Sequence, residues 1–485
     1  MNKNVILSAG IACYVGFSLA FALYANASGL LRVNPQNPRY FTDDSGRAIY
    51  LGGNQIFGDL QDYGWSSSYT DWRGYLKFAR NKNLNFLRNW TIWSTHGGRA
   101  TPMQYVRTGP GTAADGQPKF DLTQFNQDFF DRMRSRIIDA GNNGIYVSIM
   151  LFDVYAFGNH LWADNLFNGA NNIQGIDVDD DHNNWGTEFF SPSSAVAQIQ
   201  KDYVKKVIDT VRDLDNVFFE VANEATAIQW QYDMINFIRL YDGSRHLVYM
   251  SAGGMNTQGA WEGMNNSDVA NSPSDMFAVL DASGIPYDPP IDNTGKPVVI
   301  DTDHTNPGKN GRDLPWRAIT RGYHFNLYDH PWEAPQTESA DWDLVRSNIG
   351  QANRYAEHAV NLAGMNPSTS ICSTAFCLVS PGVEYLIYAP DGGPFTVNLQ
   401  TGNYSYEWFN PSTALVQGSG TVFADGGNQS FTPEFGGDAV LYLKSETVVP
   451  DPPPSQASDY PPAESRFPES TNQVLEWKSL GDEVM

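Results

Sequence analysis

Positive charge is scarce in this chain. Its 485 residues carry 31 Lys and Arg against 54 Asp and Glu, a formal net charge of −23. A field of that sign repels phosphate backbones and anionic lipid, which excludes nucleic-acid binding by charge. Cysteine is nearly absent, with three in all. Cys13 lies in an N-terminal apolar run, and Cys372 and Cys377 are five apart with no second pair, so they are not half of a four-ligand zinc site. Two readings of that pair stand: a local disulfide in an oxidising compartment, or two small residues in a strand and its preceding loop. There is no H-E-x-x-H, no His cluster at zinc spacing, no Gly-rich phosphate loop after the first strand and no internal repeat. Beyond the N-terminus, no stretch is long and apolar enough to cross a membrane.

Aromatic residues, in contrast, are plentiful at 13%, and charged residues of both signs make up only 18%. That balance reads as globular and well packed, and it suits a neutral partner offering flat apolar faces and hydroxyls, as sugars do. Lys3, the apolar residues 5–23 and the small-residue triplet Ala25-Asn26-Ala27 read as a signal peptide over 1–27, with an uncleaved anchor as the alternative. The mature chain is then expected without a membrane span, secreted, periplasmic or at the cell surface. Residues 446–485 hold seven prolines, 8 acidic and 2 basic side chains, and read as a disordered acidic tail. The tail contributes −6 of the −23, so the acidity belongs mostly to the folded part.

Between these ends, apolar β-type runs alternate with helical patterns. Strands are expected at 48–52, 85–90, 145–152, 216–224, 246–251, 276–280, 297–300 and 324–328, with helices at 70–81, 122–140, 194–213 and 228–241. The run Ile145-Tyr146-Val147-Ser148-Ile149-Met150-Leu151-Phe152 is too apolar for a one-sided sheet and fits a parallel strand covered on both faces. Eight such strands over residues 28–365 predict a (β/α)8 TIM barrel, with an open doubly wound sheet as the runner-up. From 366 to 445 the pattern shifts to short strands with Gly/Pro turns, a small all-β, sandwich-like domain.

Reactive side chains of a barrel sit at the C-terminal strand ends. Those ends offer Arg88, Asp153, Asn223-Glu224, Asp301-Thr302-Asp303-His304 and Tyr328-Asp329-His330-Pro331-Trp332. The stretch Val221-Ala222-Asn223-Glu224-Ala225, closing a buried fourth strand, resembles the cellulase-like clan A (β/α)8 glycoside hydrolases, whose fourth strand ends in Asn-Glu. The resemblance covers about residues 30–365. It implies that Glu224 is the acid/base and that Arg88 orients the nucleophile. Residues 366–445 resemble the collagen-binding-type domain appended to some cellulase-like bacterial proteins. Independently of the resemblance, a Glu at the mouth of an apolar barrel is partly desolvated, which favours the protonated form a glycosidase acid needs.

The second carboxylate departs from the family pattern. Strand seven is expected to end in Glu but runs into Asp301 and Asp303, with His304 beside them. Asp withdraws the carboxylate by about one bond length, which leaves three outcomes open: retention through a backbone shift, inversion, or a site without hydrolytic chemistry. Asp301 is ranked slightly ahead of Asp303 as nucleophile, with Asp153 a more distant candidate. His304 is read as orienting either Asp or as a structural histidine. Asn223, Arg88, Asp153, His304, Tyr328 and Trp332 are the candidate substrate-binding residues, and Trp90, Trp93, Tyr155, Trp162 and Trp261 are further candidate sugar platforms. Asp177, Asp179, Asp181, Asn183 and Glu188 reproduce calcium-loop spacing, although His182 stands where the turn-making Gly belongs. The alternative is a solvated acidic insertion. No cofactor is required for the chemistry, only this candidate structural calcium. The expected function is an exported glycoside hydrolase acting on a poly- or oligosaccharide. The alternative is a non-catalytic carbohydrate-binding or surface-adhesive protein on a degenerate glycosidase barrel.

Overall fold

The structure, a computed structural model, describes residues 29–56, 60–63, 71–252, 266–280, 295–302, 311–329 and 340–446. The expected signal peptide, the tail from 447 onward, Asp303, His304, Trp261 and Trp332 lie outside the described residues.

Eight parallel strands close into a barrel in chain order. They are β1 (Gly52–Gln55), β2 (Phe86–Trp90), β3 (Tyr146–Asp153), β4 (Val217–Asn223), β5 (Val248–Ser251), β6 (Met276–Leu280), β7 (Val298–Asp301) and β8 (His324–Tyr328). Every residue of β3 and of β4 is buried, as expected of strands covered on both faces. The helices around them are α1 (Trp72–Asn81), α2 (Gln127–Gly141), α3 (Ser194–Val211), α4 (Ile228–Asp242), α5 (Asn266–Ala270), α6 (Leu314–Thr320) and α7 (Ala340–His358). Asp71 starts α1 by accepting from the Gly74 amide at 3.2 Å, and the helix buries Trp72, Tyr75, Leu76 and Ala79.

The structure corrects two of the expected elements. The first barrel strand is Gly52–Gln55, not 48–52; Ala48–Ile49 belongs to a small antiparallel sheet with Arg32–Val33 and Phe41–Thr42. A Gly-Gly-Asn-Gln strand has no apolar signal, and its glycines serve close approach: a Cβ on Gly53 would lie 1.7 Å from the Phe86 carbonyl oxygen. The expected helix over 122–140 begins only at Gln127, because Asn126 caps it and Pro118–Phe125 pairs with Tyr105–Thr112 as a hairpin. That hairpin is tied to the loop after β3 by Phe120 N–H to Asn171 O (2.8 Å) and Ile173 N–H to Phe120 O (2.8 Å).

Leu31, Phe41 and Leu51 plug the N-terminal end of the barrel against Phe86, Tyr146, Phe218, Tyr249 and Val299. His324 is sealed there. Its Nδ1 accepts from Leu51 N–H at 2.9 Å, its Nε2 faces the Arg39 carbonyl at 3.0 Å, and its ring lies 4.6 Å from that of Phe41. Burial pushes the imidazole down to about 3. The unfolded chain therefore binds a proton that the folded one refuses between about pH 6.5 and 3. This contribution to stability is whole above that window and is lost as pH falls through it, at about 1.4 kcal/mol per unit. Melting curves across this range should fall less steeply for His324→Asn, which cannot titrate; identical slopes would contradict this account.

The C-terminal region forms a six-stranded antiparallel sheet of Asn366–Ser368, Cys377–Ser380, Glu384–Ala389, Ala439–Ser445, Gly402–Asn410 and Leu415–Ala424, in that spatial order. A two-stranded ribbon of Phe395–Leu399 and Gly427–Phe431 accompanies it, and a Cys372–Cys377 disulfide is present. Alternation along Glu384–Ala389 sends Tyr385 and Ile387 into the sheet's own core, and Leu386 and Tyr388 onto Trp316, Ile319, Ala352 and Tyr355 of α6 and α7. Buried Glu384 accepts from the amides of Val360 and Asn361 at 2.9 and 2.8 Å, just past the end of α7. Barrel and sheet thus share one apolar core. No helix among the described residues is long and apolar enough to cross a membrane.

Candidate active site

Arg88, on β2, is 1% exposed and organises the C-terminal face of the barrel. Its Nε and Nη2 each lie 2.6 Å from an oxygen of Glu220 on β4, a bidentate ion pair. Nη2 also donates to Asn223 Oδ1 at 2.7 Å. Nη1 points the other way, to Asp301 Oδ2 at 2.8 Å and to Gln55 Oε1. Gln55, at the end of β1, donates from Nε2 to the other Asp301 oxygen at 2.9 Å. One guanidinium therefore joins the ends of β7 and β4, in a cluster with two carboxylates for one cation.

Glu220 is sealed beneath this cluster. It accepts further bonds from Tyr249 OH (2.9 Å) and Ser251 Oγ (2.7 Å) of β5. Four donors satisfy its two oxygens, as a buried carboxylate requires. The residue holds Arg88 and is not available for chemistry.

Glu224 follows β4 and is 5% exposed, with a backbone φ of +57°. That left-handed conformation costs a non-glycine residue of order 1 kcal/mol or more, and such strain concentrates at functional sites. Asp153, at the end of β3, is in register with Asn223, which donates to its Oδ1 at 3.4 Å. The same oxygen accepts from the Tyr155 amide at 3.1 Å. Burial first, and then the nearby Glu224 charge, push the Asp153 carboxyl up to about 7, partly offset by its hydrogen bonds and by Arg88. Tyr155 sits half-buried beside the two carboxyls, and burial followed by their charges pushes its phenol up.

The structure brings Arg88, Asn223, Glu224, Asp301 and Asp153 together, and Tyr328 ends β8, the neighbour of β7. Three expected platforms are corrected. Trp93 is fully buried among Phe152, Phe167, Phe189 and Tyr203 and donates to the Leu151 carbonyl, and Trp162 is buried against Phe157. Trp90 is buried as well, its indole N–H 3.2 Å from Gln55 Oε1.

The acidic run 177–188 does not gather round a point. Asp177 accepts from the amides of Gly169 and Asp179, Asp179 from Asn183 and Asn184, and Asp181 from Asn183, whose own Oδ1 accepts from Trp185 N–H. Burial raises the Glu188 carboxyl, which stands in a short 3-10 turn, Thr187–Phe190. Among the described residues no group of three or more His, Cys, Asp or Glu side chains is placed to hold a metal ion. The oxygens expected to ligate calcium instead cap their own loop, which His182 turns with a φ of +58° in place of the usual glycine.

Gln55 and Glu220 escaped the sequence reading. Glu220 left one usable signal, a lone charge inside an otherwise apolar run; Gln55 left none. A further buried pair, Arg346 with Asp329, links α7 to the end of β8, and Asn54 donates to Asp329 at 2.8 Å.

These features define a closed (β/α)8 barrel with a carboxylate and arginine cluster at its C-terminal strand ends. The chain is similar in fold to solved glycoside hydrolases. One of them matches with a TM-score of 0.57 at 12% identity, over 87% of this chain and 98% of its own. A glycoside hydrolase family 5 protein from Bacteroides vulgatus matches with a TM-score of 0.55 at 12% identity, over 86% of this chain and 94% of its own. No protein-family model matches the sequence, and no curated protein matches it. At this identity the likeness establishes the fold.

Proposed function

We propose that the chain is a glycoside hydrolase acting on a poly- or oligosaccharide, with Glu224 as acid/base and Asp301 as nucleophile. The observation that carries this reading is Arg88, whose single guanidinium grips Asp301 at the end of β7 and Asn223, the neighbour of Glu224, at the end of β4. In the proposed reaction Glu224 gives a proton to the leaving oxygen while Asp301 attacks the anomeric carbon, forming a glycosyl ester. Glu224 then takes a proton from water, which displaces Asp301. Asn223 and Tyr328 face the sugar in this reading, and Asp303, His304 and Trp332 extend it beyond the described residues. Retention of anomeric configuration is expected, whereas inversion would recast Asp301 as a base acting on water.

The site supplies this chemistry from side chains alone, so no cofactor is proposed. Export to the periplasm, cell surface or medium is part of the proposal, supported by the N-terminal pattern and the Cys372–Cys377 disulfide. The likeness of 366–445 to collagen-binding-type domains names no ligand. One face of that sheet is spent on α6 and α7, so we propose a structural role for it.

The Asp in place of Glu on strand seven favours a second reading, a sugar-binding protein without turnover. A glycan panel incubated with the mature chain separates the two. Hydrolysis abolished by Glu224→Gln supports the enzyme; retained binding with no cleavage of any glycoside supports the alternative.

A further inference from the structure

Asp153 has one oxygen more than its surroundings use. Oδ1 is held by the Tyr155 amide and by Asn223, but Oδ2 is buried and has no hydrogen-bond partner among the described residues. A buried carboxylate oxygen without a donor carries the full cost of desolvation. A neutral carboxylic acid carries far less of it, and with Oδ1 engaged by two N–H groups the proton belongs on Oδ2. The neighbour across the strand register is the Asn223-Glu224 pair, so two carboxyls, both more than nine-tenths buried, end adjacent parallel strands.

We propose that Asp153 and Glu224 form a coupled carboxyl pair in which Asp153 stays neutral while Glu224 exchanges its proton with the substrate, making Asp153 a positioning residue for the acid/base. This deepens the hydrolase reading and rests on it for its role in catalysis, though not for the existence of the pair. The charged and titratable groups around the pair are Arg88 from β2 with its partners Glu220 and Asp301, and Tyr155 after β3. Arg88 is already matched by two carboxylates, so little positive charge remains to hold Asp153 as an anion as well.

The chemical use is direct. When Glu224 gives up its proton it becomes an anion, and a neutral Asp153 beside it does not oppose that step. Above about pH 7 Asp153 ionises. Its charge then opposes formation of the Glu224 anion as the proton passes to the leaving oxygen, which slows the first half of the reaction.

The test is an infrared titration of the full chain labelled with 13C-carboxyl aspartate, with Asp153 assigned by the wild-type minus Asp153→Asn difference. Asp153 is expected to ionise near neutrality in the wild type and at least about one unit lower in Glu224→Gln. Ionisation in the ordinary aspartate range in the wild type, or no movement in Glu224→Gln, overturns the pair. If Asp153→Asn does not fold, the shift between wild type and Glu224→Gln decides alone. Turnover adds a separate readout: an inflection of kcat near pH 7 is expected in the wild type and absent in Asp153→Asn. If no glycoside is cleaved by the wild type, the hydrolase reading falls while the titration still decides the pair.

Discussion

Replacing Arg88 by methionine is expected to lower folding stability by about 3 to 5 kcal/mol, the usual cost of breaking a buried ion pair from one side. Methionine fills much of the same volume, so the loss isolates the charge. Glu220 would keep Tyr249 and Ser251 as donors but lose its bidentate partner, and Asp301 would keep Gln55. Two buried carboxylates would then face each other without a cation. Lysine is no substitute, because a single ammonium cannot reach Glu220 with two bonds while also serving Asn223 and Asp301. Denaturant unfolding at neutral pH measures the loss, and repeating it at pH 4 should shrink it as the orphaned carboxylates take protons. A methionine variant within 1 kcal/mol of wild type would mean that Arg88 does not hold the cluster.

At Glu224, activity and stability are expected to move in opposite directions. Glu224→Gln should cost about 10² to 10⁴ in kcat/KM on any glycoside the protein cleaves, with the fold unchanged. Glu224→Gly should lose at least as much activity yet melt higher, gaining roughly 1 kcal/mol, because glycine adopts a positive φ without penalty. The comparison separates what the side chain does from what its backbone stores. Turnover within tenfold of wild type in Glu224→Gln would remove it as the acid, and a glycine variant that melts lower would remove the strain account.

How far the sequence carried depended on which face a residue serves. β3 and β4 were legible because a strand covered on both sides reads as one apolar run, and Glu224 and Asp301 were legible because they stop such runs. β1 was misplaced for the opposite reason. Its glycines and amides are chosen for contact with β2, α7 and Asp301, and none of that leaves an apolar trace. Hydropathy also cannot show where an oxygen points. The acidic residues of 177–188 keep calcium-loop spacing while turning their oxygens onto their own backbone. Glu220 shows the same limit from the other side, since only the position of Arg88 explains why a charge lies within a strand that is otherwise apolar or amide-bearing.

The shared core between the sheet and α6–α7 bears on how this chain can be taken apart. A hinged appendage can be trimmed or exchanged between barrels as a cassette. Here a cut at residue 365 would bare Trp316, Ile319 and Tyr355, and would strip Glu384 from the amides just past α7. Inheritance of this barrel without its sheet would therefore require a new apolar cover over α6 and α7, so the two halves are constrained to evolve as one heritable unit.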